Sequence, residues 1–192
     1  MTSFTAKRSA GFLIMAVVML ATRLCHFEFP PDASWAIFFL AGFYLYSYRA
    51  FAVLMVEAVA IDYLATQHMG ISNYCLSPAY VLLLPSYAAL RLGGRWAGRH
   101  WNADLWRGIG CLGASVLVSV SVCFLLSNGS FYWLSGRAAA PSLAGWAANF
   151  IRWYPHFLAV PCAYVGLATL SQVTGVHWAH RAHAAAPQVP QH

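Results

Sequence analysis

Cys75 is the side chain in this sequence best suited to act as a nucleophile or a soft metal ligand. It stands two residues before Ser77-Pro78, which reads as a helix N-cap followed by proline at the first helical position. Unpaired N–H groups at a helix start favour negative charge, so a thiolate is stabilised there. The commoner reading of a cysteine in a membrane protein is a small packed hydrophobe, or here a partner for Cys25. Tyr74 and Tyr80 flank it and offer ring surface and a hydroxyl. Asp62 lies near the end of the preceding apolar segment, where an ionisable group serves either a pocket or a tie between helices. Glu57, deeper in that segment, fits a hydrogen bond between helices or a pair with an arginine.

Other chemistries are less well supplied. His26 and His156 are two histidines that could ligate haem or a metal in a membrane-embedded redox subunit, the alternative function. Neither a Cys-x-x-Cys-His nor a His-Glu-x-x-His pattern accompanies them. His177, His180 and His183 recur every three residues, which fits a solvated helix end better than a metal site. Cys111, Cys123 and Cys162 sit inside apolar runs and read as structural. Gly93-Gly94 reads as a turn, and no glycine-rich phosphate loop exists, so no nucleotide site is expected.

The elements that must position these residues follow from composition. The chain has 192 residues, 60% of them hydrophobic and 8% charged, with a mean hydropathy of +0.59. A soluble monomer of this size cannot hide so much apolar side chain. Five cysteines are too few for a disulfide scaffold, and the apolar content excludes a disordered chain. The net charge of +6 is thinly spread, with no basic block, so nucleic acid is not an expected partner. An all-α integral membrane protein remains, and six transmembrane helices are expected over residues 9–25, 33–48, 50–66, 77–92, 109–126 and 151–173. Residues 34–64 as one helix would reach about 46 Å, too long for a ~30 Å bilayer core, so a turn is placed at Ser47-Tyr48-Arg49. Pro85 is expected to kink the fourth span. The first segment lacks a small-x-small cleavage site after it and is read as a mature span. Residues 1–176 then form one membrane domain, and 177–192 a disordered cytosolic tail.

Six spans put both termini on one side. That side carries Lys7, Arg8, Arg49, Arg91, Arg95, Arg99, Arg107 and Arg181, against Arg23, Arg137 and Arg152 on the other. The positive-inside rule makes the richer side cytoplasmic, with the Arg91–Arg107 connection on it. The outward connections, residues 26–35, 67–78 and 127–150, gather prolines, aromatics and polar groups. Their aromatics read either as an interfacial belt or as the walls of an outward pocket, and the Pro30-Pro31 turn and the Cys75 segment favour the pocket.

This layout resembles the substrate-binding S-components of energy-coupling-factor vitamin transporters. Asp62 together with Asn73-Tyr74-Cys75-Leu76-Ser77-Pro78-Ala79-Tyr80 resembles the BtuM-type cobalamin transporters. The resemblance implies uptake of cobalamin from the outer face of the bacterial cytoplasmic membrane. Carried over by position, Cys75 becomes the lower axial ligand of cobalt, holding the vitamin base-off and promoting loss of the upper cyanide. Asp62, Tyr74 and Tyr80 become substrate-binding residues, with cobalamin as the bound substrate. S-components dock an energy-coupling module through Ala-x-x-x-Ala on the first helix. The match here is Ala6-Lys-Arg-Ser-Ala10, with two charges inside it, which suits a solitary transporter better.

Overall fold

The computed structural model describes residues 2–24, 31–68, 78–101, 104–136 and 140–185, with side chains at 8–24, 31–67, 78–101, 104–136 and 140–174. Among these, six α-helices form the fold: α1 (Thr2–Leu24), α2 (Ser34–Tyr44), α3 (Tyr48–His68), α4 (Leu83–His100), α5 (Leu105–Leu134) and α6 (Leu143–Ala185). A 3-10 helix, Pro78–Leu82, precedes α4. There is no strand among the described residues. Three helices, α3, α5 and α6, are long and apolar enough to cross a membrane. Large apolar side chains stand exposed on the helix surfaces, among them Leu13, Ile14 and Val17 of α1, Val56 of α3, Val118 of α5 and Leu167 of α6. An exposed apolar surface of this extent marks contact with a membrane or with another protein. Six helices therefore agree with the expected number, and a span by length and composition with three of them. In α1, Arg8 and Arg23 bound the apolar run, and in α4 Arg91, Arg95 and Arg99 interrupt it.

The second helix differs most from expectation. It is apolar on every side, only 11 residues long, and buried at nine named positions from Ser34 to Phe43. A helix apolar all round is enclosed by others. At 1.5 Å per residue it is about 16 Å long, half a bilayer core. Ala33 starts it against α1 by giving its N–H to Thr22 Oγ1 at 3.1 Å. The turn that ends it covers Leu45–Ser47, earlier than the expected Ser47-Tyr48-Arg49, and Tyr46 takes a left-handed φ of 54° there. Ser47 caps α3, its Oγ accepting the Ala50 N–H at 3.2 Å.

Glycines lock α2 onto α4. A Cβ on Gly42 would overlap the Arg91 carbonyl, one on Gly94 the Phe39 carbonyl, and one on Gly98 would come 2.8 Å from the Phe43 oxygen. Gly93 faces α5 instead, and Ser115 Oγ donates to its carbonyl at 2.7 Å. The Gly93-Gly94 pair is therefore helical packing surface and not a turn. The cost of glycine in a helix is offset by close approach of two backbones. The connection expected over Arg91–Arg107 shrinks accordingly, because α4 runs to His100 and α5 begins at Leu105 behind an Asp104 cap. Gly94→Val should cost about 3 kcal/mol, the upper range for overpacking. Gly110, whose Cβ would meet nothing within 4 Å, should accept valine with little loss. Thermal unfolding of the two variants in detergent compares them, and equal losses would refute the seam.

Two further expectations change. Pro85 does not kink a span; it is the third residue of α4, in the first turn, where the missing N–H costs little. The prolines inside a helix are Pro155 and Pro161 of α6. The outward connection expected over 127–150 is mostly helix: α5 continues to Leu134 and α6 starts at Leu143, with Asn149 Nδ2 donating to Asn128 Oδ1 at 3.0 Å between them. At 30 residues, α5 is about 45 Å long. α6 likewise continues past the expected end at Val173 to Ala185.

Candidate binding cavity

Arg23, in the last turn of α1, organises the end of the bundle where α1 and α3 finish and α2 and α4 begin. Its side chain is 4% exposed. Its Nε and Nη2 donate to Asp62 Oδ1 and Oδ2, each at 2.7 Å. Its Nη1 donates to Ser34 Oγ at 2.8 Å and Tyr87 OH at 3.2 Å, and lies 3.4 Å from Asp32 Oδ2. Tyr80 OH donates to Asp62 Oδ2 at 2.8 Å. Asp32 Oδ1 accepts from the backbone N–H and the hydroxyl of Ser34, at 2.9 and 2.6 Å. One guanidinium thus gathers α1, α2, α3 and α4, and through Asp62 the 3-10 helix. A bidentate pair of this kind combines charge with fixed geometry, and its extra donors are satisfied, which a buried ion pair requires.

Beside this network lies a cavity of about 250 Å³. Arg23, Asp32, Asp62 and Tyr80 line it together with Tyr87, Trp35, Phe124, Phe131 and Phe157. Ser127 and Asn128 add polar atoms from the part of α5 expected to be loop. Ring contacts fix the apolar wall: Trp35 to Phe157 at 5.0 Å and Phe124 to Phe157 at 5.4 Å between centroids. Mostly apolar walls with a few placed polar groups are what a small-molecule site needs. Two carboxylates face one guanidinium among the described lining residues. Asp32 is 27% exposed, and among the described residues its Oδ2 has only the 3.4 Å contact to Arg23, so this oxygen can accept a hydrogen bond from a ligand.

Of the site residues expected from sequence, Asp62 and Tyr80 both line the cavity and bond to each other. For Asp62 the two readings, pocket and helix tie, hold together. Tyr74 and Cys75 lie outside the described residues, as do Cys25 and His26. Ser77, expected to cap an α-helix, lies outside them too; Pro78 opens a five-residue 3-10 helix instead. That element runs without a break into α4. His156 is exposed on α6 and does not line the cavity; its ring meets Phe157 edge-on at 5.8 Å. No group of three or more His, Cys, Asp or Glu able to hold a metal occurs among the described residues. Glu57 has no hydrogen-bond or arginine partner among them.

Sequence reasoning missed Arg23, treating it as an orientation charge, and passed over Asp32, Tyr87 and Phe157. The available signal was position: Arg23 stands in the last turn of α1, and Asp62 within two turns of the end of α3. No protein-family model matches the chain and no curated protein is similar to it in sequence, so the chemistry of this cavity rests on its own residues.

Proposed function

We propose that the chain is a vitamin-uptake protein of the bacterial cytoplasmic membrane, a six-helix bundle with both termini cytosolic, that receives cobalamin at its outward end. The observation that carries this reading is the cavity at that end: aromatic walls beside the Arg23–Asp62–Tyr80 network. A volume of about 250 Å³ is below the usual ~300–1,000 Å³ of a small-molecule pocket, so the recess takes one edge of a corrin rather than the whole ring. The hydrogen-bond acceptor at Asp32 Oδ2 suits the amide N–H groups on such an edge. Cys75 is three residues from Pro78 in the sequence, and Ala79 and Tyr80, which follow Pro78, line the cavity.

In this reading Cys75 is the axial cobalt ligand. The thiol gives up its proton and its Sγ donates an electron pair to the cobalt of the substrate. The cyanide on the opposite face leaves with its bonding pair and takes up a proton from water. Cobalt keeps its oxidation state, and the cobalamin base is displaced. An energy-coupling module is not required. The test is growth. Cells lacking their own cobalamin uptake should grow on external cobalamin when they express this chain, with or without a coupling module. The purified protein should carry corrin bands. Absence of both growth and corrin bands would overturn the reading.

A further inference from the structure

The far end of the bundle carries a second site built of a different chemistry. Tyr48 begins α3, and Asp62 is about 21 Å further along the same helix. At Tyr48, α4 presents Arg91 and Arg95, one turn apart on one face. Arg91 is 4% exposed, and its guanidinium carbon lies 4.0 Å from the centre of the Tyr48 ring and 5.7 Å from that of Phe51. Arg95 Nη1 donates to Tyr48 OH at 3.4 Å. Arg91 Nε and Nη2 and Arg95 Nε are enclosed and have no hydrogen-bond acceptor among the described residues. The ion pairs among those residues are Arg23 with Asp32 and Asp62, and Arg107 with Asp104; none includes Arg91 or Arg95.

A buried cation without a counter-charge is costly, and ring faces compensate only part of that cost. Here Arg91 is such a cation and shares one tyrosine with the half-buried Arg95, and no described carboxylate pairs with either. Tyr48 itself is 68% exposed, so the site opens outward at its hydroxyl and at Arg95. Leu92 and Trp96, exposed on the same helix, give apolar surface next to it. Cation, hydroxyl and adjoining apolar surface at a helix end match a phosphate headgroup with its acyl chains.

We propose that Arg91, Arg95 and Tyr48 bind the headgroup of an anionic phospholipid at the end of the bundle opposite the cavity. The phosphate oxygens accept from Arg95 and Tyr48, and Arg91 supplies charge from beneath. This site does not depend on what the cavity binds.

Native mass spectrometry of the full chain in detergent tests it, with equal phosphatidylglycerol and phosphatidylcholine added. The chain should retain phosphatidylglycerol in preference. Arg95→Gln and Arg91→Met should each reduce that preference about fivefold, the worth of one basic residue at an anionic surface. Arg107→Gln should not, because that side chain is 82% exposed and already paired with Asp104. Should Arg91→Met fail to fold, Tyr48→Phe with Arg95→Gln carries the test. Equal retention of the two lipids overturns the proposal, as does an equal loss in Arg107→Gln. Displacement of the lipid by millimolar inorganic phosphate, with equal thermal protection from phosphate alone, overturns the lipid assignment.

Discussion

Replacing Cys75 with serine should abolish the altered cobalamin spectrum and the release of cyanide altogether. The exchange keeps the size of the side chain and removes its softness. A serine hydroxyl stays protonated at neutral pH and is a poor ligand for a soft metal centre, whereas a cysteine with a pKa near 8.5 can lose its proton on binding. Corrin affinity should fall without vanishing, because the Asp32 acceptor and the ring wall are untouched. Cys25→Ser should leave spectrum and cyanide release as they are. A spectrum unchanged between the wild type and Cys75→Ser would refute cysteine ligation, and so would a disulfide between Cys75 and Cys25. Either result leaves the transport reading to the growth test.

Removing the positive charge at the cavity should be the most damaging single change to stability. Arg23→Met leaves Asp62 and Asp32 close together and without the guanidinium that joins them. Breaking a buried pair from one side costs about 3–5 kcal/mol, because the remaining charge is left in a poorly solvated place. Asp62→Leu should cost a similar amount by stranding Arg23. The double variant Arg23→Met/Asp62→Leu should recover much of the loss, since neither charge then lacks its partner. Thermal unfolding of the four proteins in one detergent gives the cycle. If the two single losses simply add in the double variant, the pair is not a coupled unit. Ligand binding should weaken in the double variant even where stability returns, because Arg23 no longer positions Asp32 at the cavity.

Much of the helical order was legible because long apolar runs end in charge or proline. Residues 50–66 and 109–126 read as apolar helices for that reason, and both lie within the longer α3 and α5. What escaped was set by contacts between helices. Gly93 and Gly94 have the composition of a turn, and only the approach of Phe39 and Ser119 shows why they sit in a helix. The polar stretch Ser127-Asn128-Gly129-Ser130 looks like a loop, yet it continues α5 because the hairpin partner supplies Asn149. Asp62 and Tyr80 were legible as site residues because an aspartate in an apolar run needs an explanation. Arg23 was not, because an arginine at the end of an apolar run already has an ordinary one. Its partners come from three other segments, and no local pattern announces them.

The glycine seam between α2 and α4 has a mechanical consequence. Backbones packed with no side chain between them cannot slide or part without losing the whole contact at once, so the two helices move as a single strut. The four-segment clasp at Arg23 ties α1 to α4 at the cavity end of the bundle, beside that strut. On the transport reading proposed above, a solute would pass beside the strut and not through it, and the clasp would open while the strut stays whole. The separable contact is then an ion pair, and the fixed one is three glycines, Gly42, Gly94 and Gly98.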